Sequence, residues 1–227
     1  AAGQNGTVQL VQDITENVTI PSGNTNSITL DLNGRTLSGD SDTPAITHQG
    51  SGELKVFGGT VESASSKNGA ILSEGGGTVN ITAATVKNTG AGYAIASDAG
   101  LVNIGEDAKI ISACSRVDRG TIWLYGGVSG REDTVVLNLT GGEIENTAET
   151  GFAINKAGVG KICVPRGIVF IRSRDIAMNV APDTTGYYRV KVTASANYDG
   201  SDPAEYDKNA ILSYRYIVFE QGFAAQI

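Results

Sequence analysis

Short runs of alternating apolar and polar residues recur along the chain at a nearly constant interval. Each is an apolar-x-apolar triplet, then a polar or glycine turn, then a second short apolar strand. The first reads Leu30-Asp31-Leu32-Asn33-Gly34-Arg35-Thr36-Leu37, and the next Leu54-Lys55-Val56-Phe57-Gly58-Gly59-Thr60-Val61. Copies follow from Val79 to Val86, more loosely from Val102 to Ile110, then from Leu137 to Ile144 and from Ile162 to Val169. The triplets start 24, 25, 23, 35 and 25 residues apart, so one insertion is expected, within Ala113–Asp133. A second pattern precedes most copies: Pro44-Ala45-Ile46, Gly69-Ala70-Ile71, Tyr93-Ala94-Ile95, Phe152-Ala153-Ile154 and Ile176-Ala177-Met178. Each period therefore holds about three short strands.

Strands this short place alternate side chains on opposite faces but cannot form a stable hairpin sheet. A single coil of such strands cannot bury its own apolar face. Stacked at about 4.8 Å per coil, successive copies bury one continuous column and satisfy each other's backbone. The pattern predicts an all-β, right-handed parallel β-helix of about six to seven coils over residues 1–180, some 30 Å long at that spacing. A β-sandwich would show longer strands with hairpin signals, and a leucine-rich repeat a helical convex segment. Neither pattern is present.

The ends read differently. Residues 6–28 are expected to form an N-terminal capping coil, partly irregular. The repeat stops near Ala181, and residues 181–227 hold six of the eight tyrosines. Two alternating runs there, Tyr187–Thr193 and Ala210–Phe219, predict a two-stranded antiparallel cap covering the last coil.

Two observations carry a family resemblance. Thr7-Val8-Gln9-Leu10-Val11-Gln12-Asp13 leads into residues 28–37, and Gly-Gly-Thr-Val and Gly-Gly-Glu-Ile turns stand at 58–61 and 141–144. Over residues 7–180 this resembles the right-handed β-helix modules of large surface proteins in Gram-positive, often gut-dwelling, bacteria, within the pectate-lyase-like superfamily. The resemblance implies a secreted or cell-surface protein. It leaves open polysaccharide lyase, glycoside hydrolase and non-catalytic adhesin, because fold alone does not choose among them.

Composition narrows the choice. Twenty-four acidic and 17 basic residues give a formal charge of −7 with no basic run, which argues against nucleic acid as partner. No apolar run reaches the roughly 18–20 residues of a membrane-spanning helix. The opening Ala1-Ala2-Gly3-Gln4-Asn5 is not leader-like, so any leader is expected to have been removed. With one His and two distant Cys, Cys114 and Cys163, no structural zinc site is expected. Two free thiols are expected, with a disulfide left open. The chain is expected to be a monomer or part of a larger surface protein.

The candidate chemistry is sparse. Hydrolytic members of the superfamily present clustered Asp residues with Gly-His-Gly and Arg-x-Lys nearby; here there is no Asp-Asp pair, and His48 sits in Thr47-His48-Gln49-Gly50. The outward column of the main strand reads Asp31, Lys55, Asn80, Asn103, Asn138, Cys163, and the next Asn33, Phe57, Thr82, Gly105, Thr140, Pro165. Neither supplies the paired carboxylates that glycoside hydrolysis needs. No catalytic residue is assigned. Asn80, Asn103 and Asn138 form a polar ladder that is mainly structural, and one that can also meet sugar hydroxyls. Lyases of this fold use calcium and an arginine base. The matching cluster is Arg116, Asp118 and Arg119 with Arg131, Glu132 and Asp133, although solvated ion pairs are the commoner outcome. No cofactor is expected; weak calcium ligands are Asn197, Asp199 and Asp202 in the acidic tail loop. In Thr121-Ile122-Trp123-Leu124-Tyr125, inward Ile122 and Leu124 would leave both rings facing solvent as a platform for a sugar. The alternative, slightly favoured by the loose alignment there, puts Trp123 in the interior. The expected function is a non-catalytic module for adhesion or for binding polysaccharide or host glycan, the alternative a lyase or hydrolase.

Overall fold

The computed structural model describes residues 5–40, 43–126, 132–184, 188–195 and 206–221. The chain winds into a parallel β-solenoid of about seven coils, each contributing one strand to each of three sheets. The first sheet stacks Gly6–Gln9, Ile28–Asp31, Glu53–Phe57, Thr78–Thr82, Leu101–Ile104, Val135–Leu139, Lys161–Val164 and Asp183–Thr184. The second begins with Ile14–Thr15, Thr36–Ser38, Thr60–Ser63 and Thr85–Asn88. It continues through Lys109–Ser112, Gly142–Asn146 and Val169–Ser173. The third runs from Val18–Ile20 through Ile46–His48, Ile71–Ser73, Ile95–Ser97, Gly120–Leu124 and Phe152–Lys156 to Ile176–Met178. All strand pairs within these runs are parallel, and residues 6–20 supply the first strand of every sheet.

Alternation fixes which side chains fill the interior. Leu54, Val79, Val102, Leu137 and Ile162 stand in one register line and are buried. Leu30 departs from the expected line: Ile28 pairs with Leu54, and Leu30 with Val56. Leu30 belongs to the neighbouring interior line with Val56, Ile81, Ile104 and Leu139. The third sheet contributes Ile46, Ile71, Ile95, Ile122, Ile154 and Met178, all fully enclosed. Deleting a buried side chain of this kind costs about 2–5 kcal/mol.

Corners set further demands. Entering the first sheet, successive coils approach so closely that a Cβ on Gly52, Gly77 or Gly100 would lie 2.1 Å from a carbonyl oxygen of the coil before it. Between the second and third sheets the interior is polar. Ser63, Asn88, Ser112, Asn146 and Ser173 align in register and are buried. Asn146 Nδ2 donates to Cys114 O and Phe152 O at 2.9 Å each, and its Oδ1 accepts from Ala148 N at 3.0 Å. Asn88 serves its own corner by donating to Ser65 O, Asn68 O and Tyr93 O. A tight turn leaves carbonyls facing inward, and these amides satisfy them.

The expected insertion falls in the corner after Gly120–Leu124, residues 125–134, where neighbouring coils use three or four residues, with 127–131 outside the described residues; the corner 113–119 before it matches 39–45 and 64–70 in length. The C-terminal cap also differs from expectation. Tyr188–Thr193 and Tyr216–Gln221 do pair antiparallel, but Tyr216–Gln221 also pairs antiparallel with Val169–Ser173 and so extends the second sheet. Residues Lys208–Ser213 form a 3₁₀ helix instead of strand. Ile217 and Phe219 continue the interior lines, fully buried. At the opposite end Val8, which pairs with the interior residue Leu30, is 52% exposed. Among the described residues no helix is long and apolar enough to cross a membrane. Cys114 and Cys163 are both free thiols.

Two stability predictions follow from this interior. Asn146→Ala strands two carbonyls and an amide, and should lower the unfolding free energy by about 3 kcal/mol. Asn138→Ala, with no partner to lose, should change it by under about 0.5 kcal/mol; urea midpoints of the two variants check the contrast. His48 is buried with its Nδ1 unpartnered, and burial lowers its pKa below the ordinary value. Between that lowered value and about 6.5 the unfolded chain binds a proton that the folded one refuses. Stability is therefore full above pH 6.5 and falls as pH drops below it. Melting temperature should decline from pH 7.5 to 5.5, and His48→Gln should flatten that decline.

Candidate functional site

On the outer face of the first sheet, alternation turns Lys55, Asn80, Asn103 and Asn138 to solvent in successive coils and in direct register. Thr29, not Asp31, precedes Lys55 in this column, and Cys163 follows Asn138. Asp31 instead pairs with Phe57 in the second outward column, which continues to Thr82. The two columns enclose a shallow groove of about 430 Å³. Its lining comprises Thr29, Lys55, Phe57, Asn80, Thr82, Asn103, Gly105, Asn138, Thr140 and Arg166. Gly105 keeps the floor low, since a Cβ there would lie 2.4 Å from Thr82 Cγ2.

The amides form only part of the expected ladder. Asn103 Nδ2 donates to Asn80 Oδ1, and Asn80 Nδ2 to Glu53 Oε1, each at 2.5 Å. Glu53 also accepts from Ser27 Oγ at 2.9 Å and pairs with Lys55 Nζ at 3.1 Å. Burial pushes the Glu53 carboxyl upward, but these hydrogen bonds and the lysine charge outweigh it and hold the pKa below the ordinary value. The ladder stops at Asn103, whose Oδ1 is enclosed without a partner. Asn138, Thr82 and Arg166 make no side-chain hydrogen bond or ion pair among the described residues. Phe57 is 36% exposed beside them. The groove thus joins an apolar ring to three polar groups without protein partners.

The other candidates lie elsewhere. Arg116 and Asp118 are exposed and bond each other through two contacts of 3.1 Å, which lowers the Asp118 pKa. Asp133 instead pairs with Lys161 at 2.9 Å. Arg131 and the calcium candidates Asn197, Asp199 and Asp202 lie outside the described residues. Among the described residues no three His, Cys, Asp or Glu side chains are placed to hold a metal. Of the described members of that cluster, Arg116 pairs with Asp118, and Asp133 with Lys161.

Trp123 is not interior. Ile122 and Leu124 point inward and are buried, while Trp123 faces outward from the third sheet, aligned with Ala96 and Asn155. Its ring stacks on Tyr125 at 4.3 Å between centroids and meets Tyr93 at 5.9 Å. The Arg119 guanidinium lies 4.3 Å from the indole centroid. The aromatic pair thus stands on a different face from the asparagine groove, and the sequence candidates separate into two surfaces.

The second sheet carries charges that the triplet pattern did not reveal. Arg172 Nη2 contacts Glu143 at 2.9 Å and Glu145 at 2.8 Å, while Lys87 pairs with Glu62 at 2.8 Å. The available signal was Glu143-x-Glu145, two acids on one face of a strand. Arg172 fills the space between the two carboxylates, where a glycosidase would need its substrate oxygen. No protein-family model matches the chain, and searches of curated proteins and solved structures give no match. The residues themselves must carry the functional argument.

Proposed function

We propose that this chain is a non-catalytic module of a secreted or cell-surface protein, and that it binds saccharide along the outer face of its first sheet. The observation that carries this reading is the groove itself, with exposed Phe57 beside the unpartnered Asn138, Thr82 and Arg166. A sugar ring offers an apolar C–H face and a rim of hydroxyls, and a site of this composition matches both. Sites of this kind combine apolar contact with a few placed polar groups that fix orientation. The coil spacing of about 4.8 Å is close to the length of one sugar residue, so an extended oligosaccharide can meet equivalent positions in successive coils. The proposed location rests on the sequence resemblance alone, to surface modules of Gram-positive bacteria within the pectate-lyase-like superfamily.

Polar groups already bonded within the protein contribute little to binding, because a ligand must replace those bonds. Asn80 and Glu53 are therefore assigned to the structure of the wall. Asn138, Thr82 and Arg166 are assigned to the ligand. Phe57→Ala and Asn138→Ala should each weaken binding of the best oligosaccharide from a glycan array by about tenfold, or 1.4 kcal/mol, in calorimetry. Asn80→Ala should perturb stability at least as much as affinity. Unchanged affinity in both Phe57→Ala and Asn138→Ala would remove the groove from consideration. Depolymerisation of the bound glycan, with or without calcium, would replace this reading with an enzymatic one.

A further inference from the structure

The repeat is interrupted once, by the long connection that follows the strand Gly120–Leu124. Extra residues in one coil of a solenoid leave the stacked ladder intact and raise a rim on one face. Trp123, the only tryptophan in the chain, stands on that face with Tyr125 stacked against it. Tyr93, from the coil before, packs at its side. Ala96, beside Trp123 in register, is fully buried although it points outward from its sheet.

The cluster contains two donors without acceptors. Trp123 Nε1 and Arg119 Nε are both enclosed, and neither finds a partner among the described residues. An enclosed donor left unpaired is unfavourable, and two in one cluster call for an acceptor from outside the chain. Arg119 ends the corner 113–119 that leads into this strand and is only partly buried. Its guanidinium is fixed by stacking on the indole and by one hydrogen bond, Nη1 to Lys67 O at 2.8 Å.

We propose that this face is a second saccharide site, specific for a sugar bearing an anionic substituent, with Arg119 serving both as cover and as anion ligand. Without ligand the guanidinium shields the indole. A sugar ring takes its place on Trp123, its oxygens accept from Nε1, and the displaced guanidinium turns its planar fork to the carboxylate or sulfate. The site lies on the third sheet and does not rest on the groove of the first.

The single tryptophan provides a direct readout. Intrinsic fluorescence of the intact protein is titrated with 3′-sialyllactose, galactose 6-sulfate and lactose, which separates carboxylate, sulfate and neutral ligands. Saturable change with an anionic sugar, at least tenfold tighter than with lactose, is the expected result, and which of the two anions binds tighter names the substituent. Arg119→Gln should erase that preference, so that the anionic sugars bind no tighter than lactose, and Phe57→Ala should leave the fluorescence response intact. No saturable change with any probe at millimolar concentration overturns the proposal, and this needs no variant. Equal affinity for all three sugars overturns it too, as does an anionic preference that survives in folded Arg119→Gln. Loss of the response in Phe57→Ala would place the binding in the groove instead.

Discussion

Everything in this molecule depends on the backbone ladder between successive coils. A coil of three short strands has no partner within itself for its amides and carbonyls, and no second layer to cover its apolar side chains. The next coil supplies both, but only when their strands lie in register. That requirement explains the interior lines of Leu, Ile and Val, and equally the glycines at 52, 77 and 100, where any side chain would hold the coils apart. It also explains why polar residues enter the interior. Where the chain turns from the second to the third sheet the ladder cannot reach every carbonyl, and Asn88 and Asn146 complete it from their side chains.

The register requirement also decides what can be read from sequence. Alternation with a period of two marks the inward residues wherever apolar and polar positions are cleanly separated, as in Leu54-Lys55-Val56. It does not distinguish registers that differ by two residues. Ile28, Leu30 and Leu32 are all apolar and all at alternate positions, so either triplet fits the pattern; the structure pairs Ile28 with Leu54. At Ile122-Trp123-Leu124-Tyr125 every residue is apolar or aromatic and alternation carries no information. Stacking on Ile95 and Ile154 turns Ile122 inward, and Trp123 outward with it. Asn88 and Asn146 were illegible for the opposite reason, since an asparagine ending a strand reads as a turn residue facing solvent.

The groove was half legible. Asn80, Asn103 and Asn138 follow from the repeat, because one outward position recurs once per coil. Phe57 and Arg166 join them from the neighbouring column and from the turn of a later coil, and that proximity depends on side-chain reach across coils. Arg119 was first grouped with Arg116 and Asp118 by proximity in sequence. In the fold those two bond each other and Arg119 turns to the indole, because a ring face is a better partner for a half-enclosed guanidinium than a carboxylate already paired.

A solenoid separates stability from recognition more completely than a layered domain does. Its interior columns tolerate little, while outward positions enter the ladder only through their backbones and can vary freely. In the regular coils those outward side chains pair with one another from coil to coil: Asn103 with Asn80, Asn80 with Glu53, and Lys87 with Glu62. Such pairing closes the surface to ligands, since each polar group is already satisfied. At the insertion the pairing lapses on two faces. Among the described residues Asn103 Oδ1 finds no partner and Asn138 makes no side-chain bond on the first sheet, and Trp123 Nε1 and Arg119 Nε find none on the third. The longer connection after Gly120–Leu124 leaves inward and outward positions alike in register, and only the bonds between outward side chains lapse there. The aromatic surface thus stands beside the insertion, while the groove of the first sheet reaches back from it to Phe57 and Thr82 in the regular coils.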